Sequence, residues 1–156
     1  MINRVATFVA TWGWTGFIRP APGTWGTVAG VPAGWAILEY GGRSWLAAGV
    51  VLAFLIGWWA AHRHMKRVRN QNDPSEVVID EVAGLWTTYL AAPDAGWVWL
   101  LAGFLLFRLF DIWKAGPVGW ADRRVKGALG TMIDDIIAGI LAAICLLLIH
   151  WLWSLF

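Results

Sequence analysis

Asp80 and Glu81 stand side by side in VVIDEVAG, Val77 to Gly84, and the apolar run continues through Leu85, Trp86, Tyr89 and Leu90. Two carboxylates in that setting are costly. At a bilayer centre each costs roughly 3 kcal/mol on insertion scales, so such groups are normally paired, hydrated or bound to a cation. The pattern recurs twice. FRLFD ends at Asp111, and MIDD, Met132 to Asp135, opens the most apolar part of the chain. Acids gathered without matching bases repel each other, and a divalent cation relieves the repulsion. Oxygen ligands of this kind suit Mg²⁺ or Mn²⁺, and Mg²⁺ typically combines a few carboxylates with waters and a substrate phosphate. Basic residues nearby then serve an anionic substrate. Arg108 precedes Asp111 by three and shares its helix face, and Lys114 follows one turn later. The chemistry implied is a metal-dependent site for a phosphorylated molecule.

The composition says where such a site would lie. The chain is 59% hydrophobic and 14% charged, with mean hydropathy +0.60. A soluble domain is about 25% charged, so this is an integral membrane protein by composition. Fourteen Trp residues suit aromatic belts at two interfaces. The net charge of +2 offers no nucleic-acid signature. Cys145 is the single cysteine, which excludes an intrachain disulfide and a cysteine-based metal cluster. A thiol phosphatase needs Arg six residues after its Cys, and position 151 is Trp. Met1 to Trp14 shows no convincing cleavage site, so no secretory signal peptide is expected.

The elements that must position the acids follow from hydropathy and breakers. Residues 1–19 form a short amphipathic lead. Pro20 to Thr27, PAPGTWGT, reads as a turn-rich loop whose Thr24 and Thr27 offer hydroxyls beside a helix N-terminus, which attracts anions. A first apolar segment covers about Thr27 to Tyr40, with Gly26, Gly30 and Gly34 on one face, a spacing that lets another helix approach closely. Pro32 predicts a kink. Glu39 to Ser44 reads as a loop. Trp45 to Ala61 is a second segment, ending in the basic run His62 to Asn70. A third helix is expected from about Glu76 to Ala92, capped by Asp73 or Ser75. Trp97 to Trp113 is the fourth, Lys114 to Gly130 a polar basic loop, and a fifth runs from about Thr131 to the end. The expected fold is an all-α, compact, multi-helix integral membrane bundle, one domain over 1–156, with about four to five embedded helices.

Loop charges orient it. Positive residues favour the cytoplasm. Arg4, Arg19, Arg63, Lys66, Arg67, Arg69, Arg108, Lys114, Arg123, Arg124 and Lys126 fall on one side when all five segments cross, and Arg43 alone on the other. The same count puts Asp80, Glu81, Asp111, Asp134 and Asp135 at the cytoplasmic mouth. Segments one to four fall short of the about 20 residues a span needs, so some are expected to be half-embedded or the bilayer locally thinned.

Four blocks in order carry a resemblance: PAPGTWGT at Pro20 to Thr27, VVIDEVAGLW at Val77 to Trp86, FRLFDIWK at Phe107 to Lys114, and DRRVKGALGTMIDDIIAG at Asp122 to Gly139. Together they resemble the phosphatidylglycerophosphatase A family across about residues 16–140. The resemblance implies a Mg²⁺-dependent lipid phosphatase that hydrolyses phosphatidylglycerophosphate to phosphatidylglycerol and phosphate, a step of phospholipid biosynthesis. It implies a multi-pass protein of the bacterial inner membrane whose active site faces the cytoplasm. The acids it marks, as ligands or catalysts, are Asp80, Glu81, Asp111, Asp134 and Asp135, with Thr24, Thr27, Arg108, Lys114, Arg123 and Arg124 toward substrate. One departure is visible: the family's Lys-Pro-x-Pro-Ile is here Lys114-Ala-Gly-Pro117-Val118, and losing the first proline loosens that turn.

In the expected mechanism, Mg²⁺ held by some of these acids clamps the phosphate while a carboxylate or the metal orients a water for in-line attack. An aspartyl-phosphate route stays open. Plainer readings accompany each residue. Asp80 and Glu81 can cap a helix and pair with Arg108. Asp134 and Asp135 suit a first helical turn through the macrodipole. Asp111 can simply pair with Arg108 or Lys114. Arg123, Arg124 and Lys126 can anchor to lipid headgroups, Thr24 and Thr27 can cap segment one, and Asp73 and Asp122 read as caps or solvated charges. His62 and His64 point to different faces and do not share a metal. Two other classes compete. A CDP-alcohol phosphotransferase also uses surface carboxylates and a divalent metal, but its paired-Asp helix pattern is missing. A small cation transporter predicts acids near mid-membrane, whereas these lie at segment ends.

Overall fold

The computed structural model describes residues 2–68 and 74–155. Arg69 of the basic run and the candidate cap Asp73 lie outside them. Among the described residues there are seven α-helices and no strand: α1 (Ile2–Ala10), α2 (Pro22–Ala36), α3 (Gly42–Val68), α4 (Ile79–Tyr89), α5 (Trp97–Trp113), α6 (Pro117–Arg124) and α7 (Ala128–Trp153). A 3₁₀ turn spans Thr15–Phe17, and a π-turn, Ile37–Gly41, joins α2 to α3.

The short α4 lies at the centre. Every residue of it except Glu81 is buried. α2, α3, α5 and α7 pack around it. Two glycine contacts set the spacing. On one side Gly26, Gly30 and Gly34 of α2 face Val78, Val82 and Trp86, four residues apart on each chain. A Cβ on Gly30 would come within 3.0 Å of the Val82 side chain, and one on Gly34 within 2.7 Å of the Trp86 ring. Trp86 Nε1 donates to the Gly30 carbonyl at 2.9 Å. The small-residue stripe therefore does the work its spacing predicts, letting valine and tryptophan fill the grooves. On the other side α4 and α7 run parallel and touch backbone to backbone at Gly84 and Gly139. A Cβ on Gly84 would lie 2.6 Å from the Asp135 carbonyl oxygen, and the Thr88 hydroxyl donates to the Gly139 carbonyl at 3.2 Å.

Several boundaries differ from expectation. PGTWGT is the opening of α2, not a loop: Pro22 takes the first turn, where its missing N–H costs nothing. Helix continues through Glu39 to Gly41, and the chain breaks at Gly42, whose φ of 76° few other residues adopt. The basic run to Val68 is the end of α3 rather than a loop. The third helix begins at Ile79, with Val78 in the cap position and no side-chain cap, so Ser75 does not cap it. The stretch Lys114 to Gly130 contains α6, and α7 starts at Ala128. Only Trp97–Trp113 matches its expected bounds.

Two helical stretches, Pro22–Val68 (broken at Gly42) and Ala128–Trp153, are long and apolar enough to cross a membrane. Only 28% and 39% of their most apolar windows are buried, so most of that surface faces outward. Leu52, Leu55, Leu147 and Leu148 are each about half exposed. An outward apolar face suits hydrocarbon rather than water.

Candidate active site

The glycine contact between α4 and α7 fixes the acids. Asp80 lies one turn before Gly84, and Asp135 one turn before Gly139, so parallel helices touching at the glycines bring both carboxylates to the same level. Glu81 joins them. Ligand oxygens of Asp80, Glu81 and Asp135 lie within 4.8 Å of one another. Asp80 and Asp135 are buried, and Glu81 is nearly so. Gly23 of α2 packs directly on Glu81, where a Cβ would collide with its carboxylate.

Two cations flank the trio. Arg108 of α5 pairs with Asp111 and approaches Glu81 at 3.7 Å. It also donates to the hydroxyls of Thr24 and Thr27, both at 3.4 Å. The Thr27 hydroxyl itself donates to the Gly23 carbonyl at 2.7 Å. Neither threonine caps α2; both hold Arg108. On the other flank Lys114 pairs with Asp122 of α6 and reaches Asp134 at 3.0 Å. Burial opposes its charge, but the hydrogen bonds to Asp122 and Asp134 hold the ammonium above the ordinary lysine range. The Lys114 hydrogen bond in turn holds the Asp122 carboxyl below its usual value. Lys114 ends α5 in the left-handed region at φ 47°, a place glycine usually takes. A non-glycine residue held there by ion pairs is the kind of strain found at working sites. The missing proline does not free Lys114, because Asp122, Asp134 and the α6 start at Pro117 fix it.

A cavity of about 310 Å³ opens between the trio and the two cations and also touches Pro22, Ser75, Ile112 and Thr131, with Asp122 behind Lys114 and outside its lining. It contains all five expected acids with Arg108 and Lys114. Thr24 and Thr27 reach it through Arg108. Arg123 and Arg124 do not line it; both are exposed at the end of α6. Asp122 is the residue sequence reasoning passed over. Its only signal was membership of the DRRVKG block, since no local spacing relates it to Lys114.

The residues present fit a divalent cation. Five carboxylates face two cations. The Glu81 Oε2 oxygen is buried and has no hydrogen-bond partner among the described residues. Asp135 meets the charges of Asp111, Asp80 and Asp134 together. All donors are carboxylate oxygens, the set that hard cations prefer.

The family model "Phosphatidylglycerophosphatase A" matches residues 8–150. The chain is 39% identical over 132 residues to the phosphatidylglycerophosphatase A of Escherichia coli (strain K12), covering 83% of this chain and 76% of that protein. It is 34% identical over 155 residues to the Haemophilus influenzae protein of the same name, covering 99% and 93%. A Bacteroides thetaiotaomicron protein provisionally named phosphatidylinositol-3-phosphatase is 37% identical over 144 residues, covering 88% of each. No solved structure matches. By that match and these relatives, the chain belongs to the phosphatidylglycerophosphatase A family of phosphoric monoester hydrolases.

Proposed function

We propose that this protein removes the terminal phosphate of phosphatidylglycerophosphate in a Mg²⁺-dependent reaction, yielding phosphatidylglycerol. The observation that carries the reading is the trio Asp80, Glu81 and Asp135, within 4.8 Å of one another between Arg108 and Lys114. Family membership supplies the substrate class.

Asp80, Glu81 and Asp135 would hold the ion. An ion bound there would supply charge neutralisation and Lewis-acid polarisation toward the phosphate. The chain's own residues do the rest. Arg108, steadied by Thr24 and Thr27, binds phosphate oxygens with its fork of donors. Lys114 offers a fixed positive charge from the other flank. Asp111 or Asp134, the acids outside the trio, orients the attacking water and accepts its proton. The glycerol oxygen leaves and is protonated from solvent. Positioning and charge neutralisation dominate phosphoryl transfer, which fits a site with no nucleophilic Ser or Cys among the residues lining the cavity other than the exposed Ser75.

The protein is read as one multi-pass domain over 1–156 in the bacterial inner membrane, with the site at the cytoplasmic mouth. Exposed tryptophans support two belts. Trp14, Trp25, Trp113 and Trp120 ring the end that bears the acids, and Trp45, Trp97, Trp151 and Trp153 ring the other. α3 and α7, at about 1.5 Å per residue, exceed the roughly 30 Å hydrocarbon core. Asp80, Glu81 and Asp111 at helix ends speak against a transporter with mid-membrane ligands; Asp134 and Asp135 lie past the first turn of α7, which starts at Ala128, and not within it as expected.

The test is phosphate release by the purified protein from phosphatidylglycerophosphate, with Mg²⁺ and with chelator. Release that survives complete chelation would sink the metal reading. The Bacteroides relative favours a second substrate, a phosphorylated inositol lipid. Offering both lipids in the same assay decides between them, and faster release from the inositol lipid would replace the first reading.

A further inference from the structure

The helix faces that build the phosphate end of the cavity do not stop there. On α2, Thr24 and Thr27 are followed at helical spacing by Val28, Val31 and Trp35. On α5, Arg108 is preceded at the same spacing by Phe104, Leu101, Leu100 and Trp97. Arg108 bridges the two helices at one end through its contacts to Thr24 and Thr27. Beyond that bridge the helices leave an apolar groove of about 370 Å³ between Val28 and Val31 on one wall and Leu101 and Phe104 on the other. Tyr89 and Leu100, both buried, form its floor. The Tyr89 hydroxyl donates to the Leu100 carbonyl at 3.2 Å, so the floor presents no free polar group from that ring. A second hollow of about 320 Å³ continues it past Pro32 and Trp35.

We infer that this groove binds an acyl chain of the lipid whose phosphate sits at Arg108. The inference rests on the phosphatase reading above and adds where the hydrophobic half of the substrate lies. Length supports it. From Arg108 to Trp97 is about 16 Å at 1.5 Å per residue, so an acyl chain can lie extended along the groove from the acid-bearing end. Continuity supports it as well, because the same two helix faces carry the headgroup contacts at one end and the groove along their length. A diacyl phospholipid drawn up by its phosphate would lay one chain between α2 and α5. In a membrane this contact gains packing rather than escape from water. Its benefit is to fix the depth and direction of the phosphate relative to the acids.

The test uses the full chain in detergent and two forms of phosphatidylglycerophosphate, dioleoyl and dibutanoyl. Val28 and Leu101 are 43% and 48% exposed, so tryptophan there fills the groove from its open side without entering the core. Val28→Trp and Leu101→Trp are expected to lower the dioleoyl-to-dibutanoyl ratio of kcat/KM by about threefold, the loss of several packing contacts. The change should come through KM and leave dibutanoyl turnover intact. Leu147→Trp, on an outward face of α7, is the control and should leave the ratio unchanged. An unaltered ratio in the groove variants overturns the inference. So does an equal fall for both lipids, an equal shift in the control, or a wild-type chain indifferent to acyl length. Absence of phosphate release from either lipid by the unaltered protein is a different failure, that of the phosphatase reading, and takes this inference with it.

Discussion

Replacing Gly84 with alanine tests whether the α4–α7 contact sets the active site. The new Cβ would sit 2.6 Å from the Asp135 carbonyl oxygen and 2.5 Å from the Phe107 ring. The first neighbour is backbone and cannot rotate away. Ordinary contact needs about 3.5 Å, so α4 and α7 must part by nearly 1 Å. Overpacking of this kind costs about 1–3 kcal/mol, offset by about 1 kcal/mol because alanine favours helix over glycine. Net destabilisation is therefore modest, about 0–2 kcal/mol, and the protein should still fold. Catalysis should suffer more. The separation falls between Asp80 and Asp135, whose oxygens now lie within 4.8 Å, and a displacement near 1 Å can cost on the order of 100-fold. The assay is phosphate release beside a thermal melt in the same detergent. Folded Gly84→Ala protein with activity within threefold of wild type would refute the idea that this glycine contact positions the acids.

Two further outcomes follow from contacts described above. Lys114→Met should remove the partner of both Asp122 and Asp134 and lower kcat by on the order of 10- to 100-fold. Lys114→Arg should recover only part of it, and full activity in the methionine variant would show that Lys114 serves α6 alone. Gly30→Leu should cost about 1–3 kcal/mol by driving a side chain into Val82; an unchanged melting temperature by thermal shift would mean α2 is not packed against α4 as described.

Much of the site could be read before the fold. The acids were anomalies of type and place, and charge counting brought all five to one level. The α5 bounds were clear because Trp97 to Trp113 is uninterrupted and flanked by breakers. Elsewhere the local signals misled. The two glycines of PGTWGT look like loop punctuation, but Gly23 packs on Glu81 and Gly26 on Val78, contacts that exist only once α4 is in place. Asp122 looked solvated because its partner Lys114 is eight residues away across a turn, and α6, with Gly119 near its start, has too few residues to show a period. Serine and aspartate near residue 75 suggested a cap. Instead the Val78 N–H is taken by the Ala10 carbonyl at 2.9 Å, a partner 68 positions earlier.

The burial of α4 has a further consequence. Its neighbours α3 and α7 carry outward apolar faces, while α4 lies one layer in, buried at every residue except Glu81. Asp80 and Glu81 thus stand on the shielded helix, whereas Asp134 and Asp135 stand on α7, whose opposite face is open to the surroundings. A load on the outward face of α7 is therefore carried to Asp135 and its partners through the close contact of Gly84 with Gly139, which couples the acids to whatever surrounds that helix.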